Sequence, residues 1–386
     1  MKIAFYPCEP TITSGGAFSF INSIKNEILL SNTEYEFCFL YYNENNKQNF
    51  INNDIKYINT YKKISLFSRI YNKIKKYICN TNINYIDKLI KKENIDLICV
   101  LGTYMLDTSY PFIFIVWDLG HRVLPCFPEV TKNGEWDSRE NTLKKMLFRA
   151  TYIITGNEHG KREILENYNV NNKKIHIIPF PIPSYNLENT DSTTIFNINQ
   201  PFIFYPAQFW PHKNHISIIE AIALLRDNKN IIINCYFTGK DYGNLKYIKY
   251  QIKKYNLDNQ IHILGFVDQP TLIYLYKNAL AMTYVSLLGP NNIPPLEAIV
   301  LGCPLIYSNI PGHLEQMENT GIPVNALNPE EICEAIYSLY INKNYRDKII
   351  TDEMNFSNKY LTYSYLNNLK ILFNDFKKYI RTWKNI

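Results

Sequence analysis

Short apolar runs alternate along this chain with stretches whose apolar residues recur every three or four positions. Runs at 2–6, 36–42, 95–101, 111–117, 152–155 and 174–178 have strand length, and several are apolar at consecutive positions, as strands covered on both faces require. Helical periodicity between them predicts helices over 17–30, 61–78, 84–92 and 136–149, and another from about 158. Pro179, Pro181 and Pro183 then interrupt the pattern, and 181–200 reads as a linker. Alternation restarts beyond it. Strands are predicted near 202–206, 231–237, 261–264, 280–285 and 304–308, and helices near 214–226, 243–255, 270–278, 294–301 and 329–341. Strand–helix alternation of this kind predicts an α/β chain with two Rossmann-like, doubly wound parallel-sheet domains, 1–180 and 201–365. Facing one another, they leave a cleft along the carboxyl ends of the strands, where open α/β sheets bind ligands.

The end of the chain has its own pattern. Over 366–386, Phe373, Phe376, Tyr379, Ile380 and Trp383 recur at helical spacing, with Lys377, Lys378, Arg381 and Lys384 between them. Such a helix either crosses back onto the first domain or lies on a membrane surface. The segment 62–76 offers a similar choice, between covering the sheet and docking on an anionic leaflet, because Ile64, Phe67, Ile70, Tyr71 and Ile74 lie among lysines and Arg69.

Composition narrows the class. The 386 residues are 46% hydrophobic, enough for two ordinary cores, and carry a net charge of +6. That excess is too small and too dispersed for a nucleic-acid partner, and suits an anionic small substrate or an anionic membrane surface. Eight cysteines show no Cys-x-x-Cys spacing, and Cys99, Cys235 and Cys303 lie in apolar runs as small core residues, which predicts a reducing cytoplasmic setting. The first residues are too short an apolar run for a secretion signal, and no stretch approaches the roughly 18 apolar residues of a membrane span. Any membrane contact is therefore expected to be peripheral, on the inner face.

Two segments carry the candidate chemistry. In 203–215, a strand runs through Ala207, Gln208 and Phe209 to Lys213 and Asn214 at a predicted helix start. A helix start disfavours a cation by about 0.3–1 kcal/mol, so a lysine there needs a reason, and a diphosphate bound on the free N–H groups would supply it. In 289–304, Gly289, Pro290, Asn291 and Asn292 lead into Pro294 and Pro295, which preset φ for a first helical turn, with Glu297 read inside that turn. A carboxylate held there suits ribose hydroxyls. Together the two segments predict a nucleotide-sugar site. No Asp-x-Asp pair stands where a metal would be needed, and no G-x-G-x-x-G follows a strand.

The order of these motifs resembles that of retaining glycosyltransferases of family 4, which have the GT-B fold. Gly15 and Gly16 after the first strand are similar to that family's early Gly-Gly loop. Asp118, Leu119 and His121 are similar to its Asp-Leu-x-His segment, and Gln208 through Asn214 to its Gly-Arg-Leu…Lys-Asn element. Residues 293–304 are similar to the second half of its Glu-x7-Glu motif. Three positions depart. Gly289 stands for the first glutamate, Gln208 for the arginine that partners the lysine, and Trp117 for a histidine before Asp118.

The resemblance implies transfer of a hexose, with retention, from a nucleotide-sugar donor to a glycan or glycolipid hydroxyl, in the manner of surface-polysaccharide assembly. It implies Lys213 on the diphosphate, Glu297 on the ribose and Phe266 and Val267 at the base. Gly15 and Gly16 would let the donor phosphate or the acceptor approach closely, and His121 would reach the sugar or a phosphate, with Asp118 orienting it or capping the loop. Gly289, Asn291, Asn292 and Gln208 would hold the sugar and phosphate through uncharged groups. GDP- or UDP-hexose is the favoured co-substrate, with no other cofactor and no metal. A non-catalytic nucleotide-sugar binder and a sugar-nucleotide epimerase of similar shape remain the alternatives.

Overall fold

The computed structural model describes residues 1–6, 15–41, 55–60, 85–181, 198, 200–361 and 363–383. The predicted helix over 61–78, the basic segment 62–76 and nearly all of the linker 181–200 lie outside the described residues. The first half contains β1 (Lys2–Tyr6), α1 (Gly16–Leu30), β2 (Glu36–Tyr41), β3 (Lys56–Asn59), α2 (Tyr85–Lys92), β4 (Leu97–Val100), β5 (Phe112–Ile115), α3 (Gly120–Val123), α4 (Pro128–Thr131), α5 (Glu135–Arg149), β6 (Tyr152–Thr155), α6 (Glu158–Asn167) and β7 (Ile175–Ile177). The strands form one sheet in the order β3-β2-β1-β4-β5-β6-β7, and every pairing is parallel.

The second half contains β8 (Phe202–Pro206), α7 (His215–Lys229), β9 (Asn234–Thr238), α8 (Leu245–Lys254), β10 (Ile261–Gly265), α9 (Gln269–Asn278), β11 (Ala281–Tyr284), α10 (Ile293–Val300), β12 (Leu305–Ser308), α11 (Pro311–Met317), β13 (Ile322–Val324), α12 (Pro329–Ile341), α13 (Lys343–Leu361) and α14 (Tyr365–Ile380). Its sheet runs β10-β9-β8-β11-β12-β13, again parallel throughout. In both sheets the first strand lies inside, and the chain reverses direction across the sheet on either side of it. The crevices that open beside β1 and β8 at these reversals face one another.

Apolar residues on both faces explain why the strands are buried. β4 and β5 are buried at every position. One face of the first sheet packs Ala4, Ile98, Phe114 and Ile153 against Leu143 and Leu147 of α5. The other packs Ile3, Phe5 and Ile113 with α1 and with α14, the C-terminal helix crossing back onto the first domain. Leu366, Leu369, Phe373, Phe376 and Ile380 of α14 are buried there. Glu27 of α1 accepts from the backbone N–H groups of Tyr365 (3.1 Å) and Leu366 (2.9 Å), and so sets a carboxylate at the positive end of α14. Tyr152 donates to Asp375 at 2.7 Å from the same helix. These apolar residues of α14 pack on the first domain, while Ile371, Tyr379 and Trp383 remain exposed. No helix among the described residues is long and apolar enough to cross a membrane.

Six elements have no counterpart in the sequence pattern: β3, β13, α11, α13 and the one-turn helices α3 and α4. The two strands are edge strands of four and three residues, too short for a period to register. α13 is long but has a mixed pattern, because it lies in a groove between α10 and α12 rather than on a sheet.

On α13, Glu353 is fully buried and accepts from the N–H of Leu305 at 2.9 Å. Burial pushes its carboxyl up from 4.5 to about 8. The folded chain therefore keeps this proton over a range where the unfolded chain has lost it, and this contribution to stability is lost as pH rises from about 4.5 to about 8. Glu353→Gln should flatten that dependence. Urea unfolding at pH 5 and pH 8.5 should show the variant gaining on the parent at the higher pH by on the order of 3 kcal/mol. An equal difference at both pH values would contradict this account.

Candidate functional site

A cavity of about 730 Å³ lies between the two domains at the carboxyl ends of both sheets. Lys213 stands on its wall. The chain leaves β8 through Ala207 and Gln208, makes a 3-10 turn at Pro211–Lys213, and enters α7 through Asn214, which adopts a left-handed conformation with φ of 54°. Tyr205 fixes that turn by donating to the carbonyl of Lys213 at 2.6 Å. The Lys213 ammonium donates to Tyr284 Oη at 2.9 Å and to Ser286 Oγ at 3.2 Å. It thus sits at the positive end of a helix without an acidic side chain in its first turn, held by two neutral oxygens.

Glu297 lines the same cavity and is only 6% exposed. Tyr276 donates to its Oε2 at 2.9 Å, so a phenol on α9 orients a carboxylate on α10. The helix begins at Ile293, one residue before the first proline, which puts Glu297 just beyond the first turn rather than inside it. Phe266 and Val267 line the cavity after β10, and Phe266 is half exposed.

Gly15 faces this wall from the first domain. Its φ of 62° is a conformation that side chains resist, and a Cβ there would approach Gln208 Nε2 to 3.1 Å. Gly16 opens α1 and touches Ile293, and both glycines line the cavity. Gln208 turns its carbonyl to the backbone N–H of Lys240, so part of its capacity for an anion is already used.

The turn before α10 differs from expectation. Gly289 has φ of 100°, and a Cβ there would meet the amide of Asn292 at 3.1 Å. Asn292 lines the cavity with most of its hydrogen-bonding capacity already taken up by protein. Its Oδ1 accepts from Tyr284 at 2.6 Å, and its Nδ2 meets the carbonyl of Gly289 at 3.1 Å and His313 Nε2 at 2.7 Å. Asn291 lines the cavity but presses against Gly156 of the first domain, where a Cβ would come within 2.6 Å of its amide. Gly289, Asn291 and Asn292 thus form the seam between the domains and brace the lysine.

His121 does not reach the cavity. It is fully buried, and its Nε2 lies 2.9 Å from Glu140 Oε1. Glu140 also accepts from Arg122 Nε and Tyr168 Oη, each at 2.6 Å, and these partners, Arg122 first, hold its carboxyl well below the usual range despite burial. Burial lowers the His121 imidazole. The histidine therefore anchors α3 to α5. Asp118 does line the cavity, but Oδ1 accepts from the Gly120 N–H at 2.8 Å and faces Arg139 at 3.4 Å, so it caps the loop rather than orienting His121.

Sequence reasoning missed Tyr276, Tyr284, Ser286, Glu129 and Glu315. Tyr284 ends a strand beside the topological reversal, a position that could have flagged it. Glu129 of α4 accepts from both the backbone N–H (2.9 Å) and the ring Nδ1 (2.6 Å) of His212, across the cleft and next to Lys213. Glu315 of α11 accepts from the N–H groups of Glu158 and His159, at 2.6 and 2.8 Å, and so caps α6 of the other domain.

Residues 188–354 match the family model described as glycosyl transferases group 1. The O-antigen chain mannosyltransferase RfbU of Salmonella typhimurium is 30% identical over 183 residues, covering 47% of this chain and 49% of that protein. Sucrose-phosphate synthase from Thermosynechococcus elongatus superposes with a TM-score of 0.75 at 14% identity, over 98% of this chain and 99% of that one. Anabaena Alr3699/HepE, solved in complex with UDP and glucose, gives 0.71 at 13% identity, over 98% and 100%. The chain has the GT-B fold. The chain spans about half the length of the curated relatives it matches, 49% and 59% for the two. In this GT-B chain the sequence match falls mainly on the second domain, which supplies Lys213 and Glu297.

Two substitutions probe these assignments. Gly289→Glu, which would insert the carboxylate that the motif lacks, should destabilise the chain by about 1–3 kcal/mol, because the turn needs positive φ. Thermal unfolding checks this, and an unchanged midpoint would contradict it. Glu140→Ala leaves Arg122 and His121 without their shared partner and should cost about 3–5 kcal/mol in urea unfolding. A neutral result would reopen a role for His121 in the cleft.

Proposed function

We propose that this chain is a glycosyltransferase that moves a hexose from a nucleotide-sugar donor to a hydroxyl of a glycan or lipid-linked saccharide, with retention of configuration. The observation that carries the reading is that Lys213 and Glu297, delivered by separate segments of the second domain, share the wall of one interdomain cavity. Lys213 meets the donor diphosphate and offsets the charge of the departing nucleotide, together with the N–H groups at the start of α7. Glu297, oriented by Tyr276, accepts from the ribose hydroxyls. Phe266 and Val267 flank the base. Gly15 and Gly16 let the first domain come close enough to present the acceptor and exclude water. In this reading a donor phosphate oxygen takes the acceptor proton, and no side chain is assigned as a nucleophile. This chemistry needs no cofactor beyond the donor.

The O-antigen mannosyltransferase supports a hexose donor and a surface-polysaccharide acceptor, and the neighbour solved with UDP and glucose supports a nucleoside diphosphate in this cavity. GDP- or UDP-hexose is the favoured donor, used at the inner face of the membrane by peripheral contact. Lys213→Ala and Glu297→Ala should each lower transfer by about 100-fold or more, the size of losing one preorganised charge. Their thermal midpoints should stay near that of the parent. A thermal-shift screen of GDP-, UDP-, dTDP- and ADP-sugars identifies the donor, and transfer is then followed by nucleotide release with a lipid-linked saccharide extract. Near-normal turnover in either variant would overturn the proposal. Donor binding without transfer to any acceptor would favour a non-catalytic binder.

A further inference from the structure

The oxygens around Lys213 belong to a closed polar ring whose proton directions can be worked out from one end. Ser308 Oγ donates to the carbonyl of Ser286 at 2.6 Å. Its remaining partner, His313 Nδ1 at 2.7 Å, must then carry the hydrogen and donate. His313 is 1% exposed, and burial lowers its imidazole to about 3, so the ring is neutral and Nε2 is an acceptor. That acceptor faces Asn292 Nδ2, which fixes the amide with Oδ1 toward Tyr284. The Tyr284 hydroxyl spends its hydrogen on Oδ1 and presents lone pairs to Lys213. Ser286 likewise spends its hydrogen on the carbonyl of Leu288 (3.0 Å) and presents lone pairs to the same ammonium. Every hydrogen in the ring thus points away from the lysine. One N–H of the ammonium is left without a protein acceptor among the described residues, on the cavity wall.

We propose that Tyr284 is a positioning residue for the diphosphate-binding cation. Its hydroxyl, kept an acceptor by Asn292 and His313, holds the Lys213 ammonium with its third N–H toward the cleft. The inference rests on the donor-binding reading of the site given above. It also gives Asn292 a task other than sugar binding, and explains why the turn at Gly289 is built around an amide.

The test is a double-mutant cycle by calorimetry on the full chain, with UDP, GDP, dTDP and ADP as probes and the corresponding nucleosides as controls. Tyr284→Phe keeps the ring and removes the acceptor. It should weaken the nucleoside diphosphate that binds the parent by on the order of tenfold, and leave the nucleoside unchanged. In a Lys213→Met background the same substitution should have no further effect, which a merely structural loss would not reproduce. Unaltered diphosphate affinity in Tyr284→Phe, or an equal loss with and without the lysine, would overturn the inference while leaving the donor site standing. Failure of the parent to bind any of the four diphosphates would instead remove the donor reading, and this inference with it.

Discussion

A positive charge placed at the positive end of a helix is the constraint around which the candidate site is arranged. Lys213 enters α7 with no acidic side chain in the first turn to offset it. The nearest oxygens come from the end of β11 and the residues after it; the lone pairs of Tyr284 are turned inward by a buried neutral histidine on α11 acting through Asn292, and those of Ser286 by the carbonyl of Leu288. Such an arrangement holds a cation in place without neutralising it. An anionic ligand on the open side would complete the set of acceptors.

The same residues join the two domains. Asn157 uses its oxygen to cap α6 and its amide N–H groups to reach the carbonyls of Pro290 and Gly312 in the other domain. Glu315 completes that cap from across the cleft, and Glu129 holds the backbone next to Lys213. Helix starts, with their unpaired N–H groups, are therefore the fastening points of the interface as well as the walls of the cavity. Reading the turn at Gly289–Asn292 as a passive loop before a catalytic helix would miss its place in both systems.

The fold was largely legible because buried parallel strands are continuous apolar runs, and β4, β5, β8 and β11 all announce themselves this way. α13 was not, because a helix packed between two other helices carries no single apolar face. At the site, Lys213 could be picked out because it breaks a local preference next to a helix start, and Glu297 because it follows the paired prolines Pro294 and Pro295. His121 followed a buried strand just as plausibly, yet its ring turned inward to Glu140, a partner 19 residues on. Asn292 was read as a sugar contact for its donor and acceptor groups, and three neighbours take up most of them.

Local pattern in the chain was enough to settle most of the alternation of strands and helices, the doubly wound architecture, and the place of Lys213 before a helix, since each depends on neighbours a few residues apart. Side-chain direction, proton direction in the ring around Lys213, and the docking of α14 on the first domain needed the assembled molecule. Those outcomes turn on contacts between residues tens to hundreds of positions apart, where a buried polar group takes whichever partner the packing brings within about 3 Å.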